Sequence, residues 1–276
     1  MTKNNPLISV IIPTFNRYEL TKEAVASVLN QSYKSFEIIL VDDGSNDNTE
    51  KLSKIPGIKY IKQKHTGIPG QARNMGVKAS SGEYLAFLDS DDIYKEEKLL
   101  KQISFFKENS EILICHTREI WQRGDKIVSQ VKQKHRREGD IFKDALVKCI
   151  IGPSTVMLEK RLFADIGMFN PDLEIAEDYE LWLRICNKHK IGYIDEPLIV
   201  KRAGNSDQLS WKYKQIEIFR IKALLLNIKN KTFSGTNMQA AKEELLRKCR
   251  IYANGCIKRG KHKEAEQYLK IAESYS

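Results

Sequence analysis

The chain has no apolar run of membrane length. Its longest, Ile8 to Ile12, Ile38 to Val41 and Ile112 to Cys115, are strand-sized, whereas a membrane helix needs roughly 20 apolar residues. The amino terminus runs directly into the first of them, which leads us to expect no secretory leader. Cysteine is sparse and odd in number: Cys115, Cys149, Cys186, Cys249 and Cys256 are widely spaced, with no Cys-x-x-Cys. That argues against a disulfide framework and a zinc site, and for free thiols in a reducing cytoplasm. No Gly-x-Gly-x-x-Gly is present, which disfavours a nicotinamide dehydrogenase. Low-complexity tracts are also missing. At 276 residues the chain can bury a substantial core, as one large domain or one domain plus an appendage.

Acidic residues are scarce at one end only. The net charge is +10, yet residues 1–200 hold 29 Lys+Arg and 29 Asp+Glu, and residues 201–276 hold 17 and 7. A basic tail on a neutral body points to an anionic partner surface, phospholipid headgroups before nucleic acid or protein, since no nucleic-acid recognition motif accompanies it. Lysine-rich helices that simply face water explain the composition equally well.

Strand and helix signals alternate through the first half. Ile8–Ile12, Phe36–Val41, Ile58–Ile61 and Tyr84–Leu88 read as strands. Leu20–Asn30, Asn48–Ser53, Gly67–Ser80 and a segment from about Tyr94 to Glu108 read as helical. Strands separated by helices imply a mostly parallel sheet, with ligands at the carboxyl ends of its strands. Ile112–His116 is a further strand, Trp121–Glu138 a charged segment expected to be mobile, and Gly152–Met157 a turn entering a strand. A helix containing Leu181 and Ile185 precedes a strand ending at Val200. From Trp211 the pattern is helical, and Leu245–Ala272 resembles one tetratricopeptide hairpin, a unit that needs neighbours to be stable.

Polar clusters gather at the strand ends. Asp89, Asp91 and Asp92 arrive within four positions after an apolar strand, and in an extended backbone Asp89 and Asp91 project together. Carboxylates so placed suit a hard divalent cation, or else form a solvated turn that caps the next helix. Pro13, Thr14, Phe15, Asn16 and Arg17 follow the first strand; Phe15 suits a planar base, with Thr14 and Asn16 as polar contacts, or else packs as core. Asp43 at the second strand end can accept a base N–H or a ribose hydroxyl, or close an Asx turn. Arg73, near a helix start, suits a phosphate or a surface ion pair. Trp182 and Trp211 suit a sugar platform or the core.

In this order and spacing the clusters resemble the family 2 glycosyltransferases with the GT-A fold, an α/β architecture. The matching stretches are Ser9–Arg17, Ser27–Gln31, Val41–Ser45, Ala72–Gly76, Gly82–Asp92, Gly167–Phe169 and Glu177–Arg184, spanning roughly residues 7–202. The resemblance implies a GT-A domain over 1–205 (donor half about 1–115, acceptor half about 116–205) and a basic helical extension over 206–276. It implies a nucleotide-diphosphate sugar donor, a glycan or lipid-linked acceptor, inversion at the anomeric carbon, and work in bacterial surface glycan or glycolipid synthesis. By position, Asp43 contacts the base and Asp89 the ribose, with Ser90 beside them. Asp91, with Asp89, holds Mn²⁺ or Mg²⁺ on the diphosphate. Asp178 is the general base and Glu177 its helper, although an acidic pair also suits a helix start by itself; a single displacement needs one such carboxylate. The expected setting is cytoplasmic, peripheral at the inner face of the plasma membrane, with no nucleic-acid partner. Two departures stand out. The Gly67–Arg73 loop is one residue longer than usual, and Asn205 stands where relatives carry a histidine, with Arg202 the nearest substitute. That second departure keeps open a catalytically weak homologue that binds sugar nucleotides as a scaffold.

Overall fold

The computed structural model describes residues 5–124, 126–128, 137–202 and 215–275. Its first strand, β1 (Ile8–Thr14), is stiff with β-branched residues. Ile8, Val10 and Ile12 alternate onto one face of the sheet with helices α1 (Tyr18–Leu29) and α3 (Lys98–Glu108), while Ile11 points to the other. β2 (Phe36–Asp42) and β4 (Tyr84–Phe87) flank β1 in parallel, and β3 (Ile58–Lys62) extends the sheet beyond β2. The register sets Thr14 opposite Asp42 and Ile11 opposite Phe87. The polar residues that follow each strand therefore reach one rim, as the alternating pattern predicts.

Beyond β4 the sheet continues through β8 (Met157–Glu159), β6 (Ile114–Arg123), β9 (Gly192–Arg202) and β5 (Asp92–Tyr94), in that order, with β7 (Lys126–Val128) paired to β6. β8 is antiparallel to both β4 and β6, whereas β6 and β9 are parallel. The helix expected from Tyr94 starts only at Lys98: Asp92–Tyr94 is an edge strand antiparallel to β9. The reason is tertiary, since Asp92 pairs in register with Lys201 and Tyr94 with Ile199. Part of the segment read as mobile, Trp121–Arg123 and Lys126–Val128, is a hairpin. Residues 129–136 lie outside the described residues.

Helix α2 (Pro69–Ala79) covers the second face of the sheet, and α6 (Glu177–Cys186) packs beside it through Glu177, with Phe169 of the preceding loop at the same contact. Close approach is possible because residue 70 is glycine: a Cβ there would stand 2.9 Å from Glu177 Cγ and 3.3 Å from Phe169 Cβ. Around α6 lie α4 (Phe142–Val147), α5 (Leu162–Ile166) and α7 (Ile216–Lys229). The last two helices, α8 (Gly235–Ile257) and α9 (His262–Ser274), form an antiparallel hairpin with the Tyr252 and Tyr268 rings 4.5 Å apart. Leu245, Cys249 and Tyr252 of α8 join the same apolar cluster as Phe142, Leu146 and Tyr179, so the hairpin finds its neighbour in this body. Among the described residues no helix is long and apolar enough to cross a membrane.

Candidate active site

The rim begins at the end of β1. Phe15 is 36% exposed and lies flat on His65, ring centroids 3.9 Å apart and planes 19° from parallel. His65 was not expected; it comes from the loop after β3, and His65 Nδ1 sits 2.9 Å from the Asp43 carbonyl oxygen. Asn16 holds a left-handed φ of 50°, its N–H donating to Ser45 Oγ while its own Oδ1 accepts from the Asn46 N–H. This cross-tie locks the β1 and β2 ends together. Thr14 is spent internally, its hydroxyl 2.6 Å from that of Thr21. Asp43 is well satisfied too, accepting from Gln63 Nε2, the Thr66 hydroxyl and the Thr66 and Gly67 N–H groups. Its carboxylate closes the 63–67 loop and thereby positions His65.

The acidic turn departs from the extended geometry read from the sequence. The Asp92 N–H donates to the Asp89 carbonyl, so residues 89–92 turn and the two carboxylates diverge. Asp89 reaches Arg73 at 2.7 Å, whereas Asp91 lies 3.4 Å from Arg17. Ser90 is buried within the turn. Ser154, in the turn before β8, staples it by accepting from the Asp89 N–H at 3.0 Å and donating to Asp92 at 2.6 Å. Burial would raise the Asp89 carboxyl, but Arg73, Lys201 and Arg17 hold it below its usual range. Asp92 goes the other way: burial, with Asp89 and Asp91 nearby, raises it well above the ordinary value despite Lys201. Burial opposes the Lys201 charge, yet Asp92, Glu119, Asp89 and Asp91 raise its pKa. Lys201 is a fixed cation behind the acidic turn, and local sequence patterning shows nothing of it.

Arg73 is 5% exposed, and its guanidinium is divided between Asp89 and Glu177, the latter at 2.5 Å. It stands behind the rim as a bridge from α2 to the acidic turn and to the start of α6, in place of the phosphate-facing position suggested by the helix start. Asn74 braces this arrangement with two bonds to the Phe169 backbone, of 2.7 and 3.0 Å, and Arg73 packs 5.6 Å from the Phe169 ring centre. Burial, outweighing Arg73, pushes the Glu177 carboxyl up to about 7. Asp178, less buried, has Oδ2 3.6 Å from Cys149 Sγ, and its Oδ1 accepts from the Tyr179 N–H at 2.7 Å. Ala176, immediately before the pair, holds φ 62°, a left-handed turn that a small side chain tolerates.

Trp182 is interior, 6.1 Å from the Phe169 ring, and so forms core in place of a sugar platform. Trp211 and Asn205 lie outside the described residues. Arg202 pairs with Glu23. An open cleft of about 790 Å³ runs along the outer side of α2, lined by Gln71, Asn74, Asn170 and Asn230 among others, away from the acidic turn. For a metal, no cluster of three or more ligating side chains exists among the described residues. Asp91, 8% exposed beside Arg17, is one carboxylate. Hard cations such as Mg²⁺ are commonly held by one or two carboxylates plus substrate phosphates, so the site fits an ion that comes with a diphosphate.

A parallel sheet turning antiparallel after β4, with an acidic turn at that switch tied through Arg73 to Glu177, is the architecture of the GT-A class of sugar-transferase folds. The chain belongs to glycosyl transferase family 2, whose profile matches residues 9–167. An uncharacterised glycosyltransferase of Rickettsia conorii is 39% identical over 71% of this chain, which spans 32% of that relative's length. The Escherichia coli UDP-Glc:alpha-D-GlcNAc-diphosphoundecaprenol beta-1,3-glucosyltransferase WfgD is 31% identical over 76% of the chain and 83% of its own length. TuaG of Bacillus subtilis, named for teichuronic acid biosynthesis, is 33% identical over 78% and 86%. Among solved structures, Staphylococcus aureus TarS 1-349 with UDP-GlcNAc superposes at TM-score 0.70, with 21% identity over 97% of this chain and 80% of that one. The Pyrobaculum calidifontis mannosyltransferase PcManGT, with GDP-Man and Mn²⁺, superposes at 0.68, with 15% identity over 99% and 77%. These two likenesses establish the fold.

Proposed function

We propose that this chain is the catalytic unit of an inverting glycosyltransferase. It moves a sugar from a nucleoside-diphosphate donor to a hydroxyl of a glycan or lipid-linked acceptor, in bacterial surface glycan or glycolipid synthesis. The observation that carries this reading is the Arg73 bridge, which fastens Asp89 of the acidic turn to Glu177, next to Asp178. The acidic turn that meets the donor and the helix end that carries the proton acceptor are thereby held in one frame, so little reorganisation is needed at the moment of reaction.

The roles follow from what each group can offer. Phe15 and His65 give the nucleobase a flat aromatic edge, with Pro13 and Thr14 shaping its backbone and Asp43 holding the loop. Asp89 faces the ribose side, with Ser90 in the turn behind it. Mn²⁺ or Mg²⁺ would be held by Asp91, with Asp89 behind it, and would offset the charge that gathers on the leaving diphosphate. Arg17, beside Asp91, adds a second positive charge there. The acceptor oxygen bonds to the anomeric carbon as the carbon–phosphate-oxygen bond breaks on the opposite face, inverting the centre. Asp178 takes the acceptor proton, and the nucleoside diphosphate leaves. Glu177, tied to Arg73, positions its neighbour.

The test is Asp178→Asn, which keeps shape and removes the proton acceptor. Nucleotide-sugar affinity by calorimetry should survive, while transfer to acceptor falls by about 10²–10⁴-fold. A variant that keeps most of its transfer activity assigns the base elsewhere.

A further inference from the structure

The outward face of α8 carries positive charge and apolar surface together. Arg247, Arg250, Ile251, Asn254, Ile257 and Lys258 are all exposed, and at 3.6 residues per turn they share an arc of about 120°. The opposite arc, with Leu245, Cys249, Ala253 and Cys256, is buried against the body and α9. Ile251 is 57% and Ile257 44% exposed, and cations flank both. The turn that follows adds Arg259, Lys261, His262 and Lys263, all exposed. Arg247 pairs with Glu244 and Lys261 with Glu264. No acidic side chain among the described residues forms an ion pair with Arg250, Lys258 or Lys263. Glu243, at the far end of the arc, is its one acidic member.

We propose that this face is a membrane-docking surface whose partner is a bilayer containing anionic phospholipid. Cations framing exposed aliphatic side chains on a helix otherwise buried are what an interfacial helix needs: charge to draw it to the headgroups, isoleucine to enter the acyl boundary. A nucleic acid would answer the cations alone and leave the isoleucines in water. The hairpin also lies where docking serves the acceptor side. Lys248, on the buried side of α8, donates to the Val147 carbonyl at 2.9 Å, and Cys149, two residues on, touches Asp178. The helix itself, ~10 Å across, is the layer between the face and that side. Charge and exposure carry the proposal independently of the sugar-transfer reading; only the placement beside the acceptor side rests on that reading.

Vesicle flotation of the full chain decides it. Wild type should float with phosphatidylcholine–phosphatidylglycerol vesicles at low salt, weaken as salt screens the surface, and stay behind with phosphatidylcholine alone. The triple variant R250Q/K258Q/K263Q should partition on the order of 100-fold less, about fivefold per charge. I251S/I257S should lose the part that survives high salt. All five positions are exposed and outside the rim, so the circular dichroism spectrum and nucleotide-sugar affinity should not change, which separates lost docking from lost folding. Equal flotation with neutral vesicles, no flotation with anionic ones at low salt, or wild-type partition by the triple variant overturns the proposal. Tight salt-sensitive binding to a labelled DNA duplex without vesicle binding overturns it in favour of nucleic acid.

Discussion

Replacing Arg73 with methionine removes a guanidinium that two carboxylates share in the interior and leaves an unbranched apolar stem in its place. Asp89 at 2.7 Å and Glu177 at 2.5 Å both lose their partner. The Arg73 side chain is almost fully enclosed, so water cannot replace it without opening the contact between α2 and α6. Breaking a buried pair by removing one member costs about 3–5 kcal/mol, because the charge left behind stays desolvated. At roughly 2.1 cal/mol/K per residue, a chain of this size has an unfolding entropy near 0.6 kcal/mol/K, so the midpoint should fall by about 5–9 °C. The defect should be smaller at pH 5 than at pH 8, since protonation relieves the orphaned carboxylates, Glu177 first because burial already raises it. Thermal unfolding followed by circular dichroism at both pH values measures this. A midpoint within about 1 °C of wild type at pH 8 refutes the bridge, and an equal drop at both pH values refutes its electrostatic origin.

Two further outcomes follow from the same geometry. Glu177 titrates at about 7 when folded against an ordinary 4.5, so between those values the native state holds the proton and the unfolded state does not. Stability therefore rises as pH falls through that window, and Glu177→Gln should flatten that slope in denaturant titrations run from pH 4.5 to 7. Asp91→Ala should make nucleoside-diphosphate affinity the same with Mn²⁺ as with a chelator, whereas wild type binds more tightly with the ion; calorimetry that finds wild type already indifferent to Mn²⁺ removes Asp91 from that role.

The parallel half of the sheet and the rim it feeds were legible in the order of residues. β-branched runs at Ile8–Ile12 and Phe36–Val41 have few alternatives to buried strands, and helices between strands force the polar residues after them to one edge. The cluster of Asp89 and Asp91 stood out there as well, because carboxylates gathered after an apolar strand have little structural reason to be together, whereas Glu177 and Asp178 stood out only through the company of the other motifs, since an acidic pair also suits the start of a helix. Which charges meet is settled by packing. Arg73 and Glu177 are 104 positions apart, and a cation near a helix start looks the same in sequence whether it faces a phosphate or is buried between carboxylates. Asp92–Tyr94 carries too few residues to announce a strand, and becomes one because β9 lies alongside with Lys201 opposite Asp92. Trp182 has the same local pattern in a core as on a platform, and the packing of Phe169 against it chose the core. Local periodicity reports which face of an element is apolar. Charge pairing depends on the low dielectric and register of elements far apart in the chain, and so becomes visible only once they are packed.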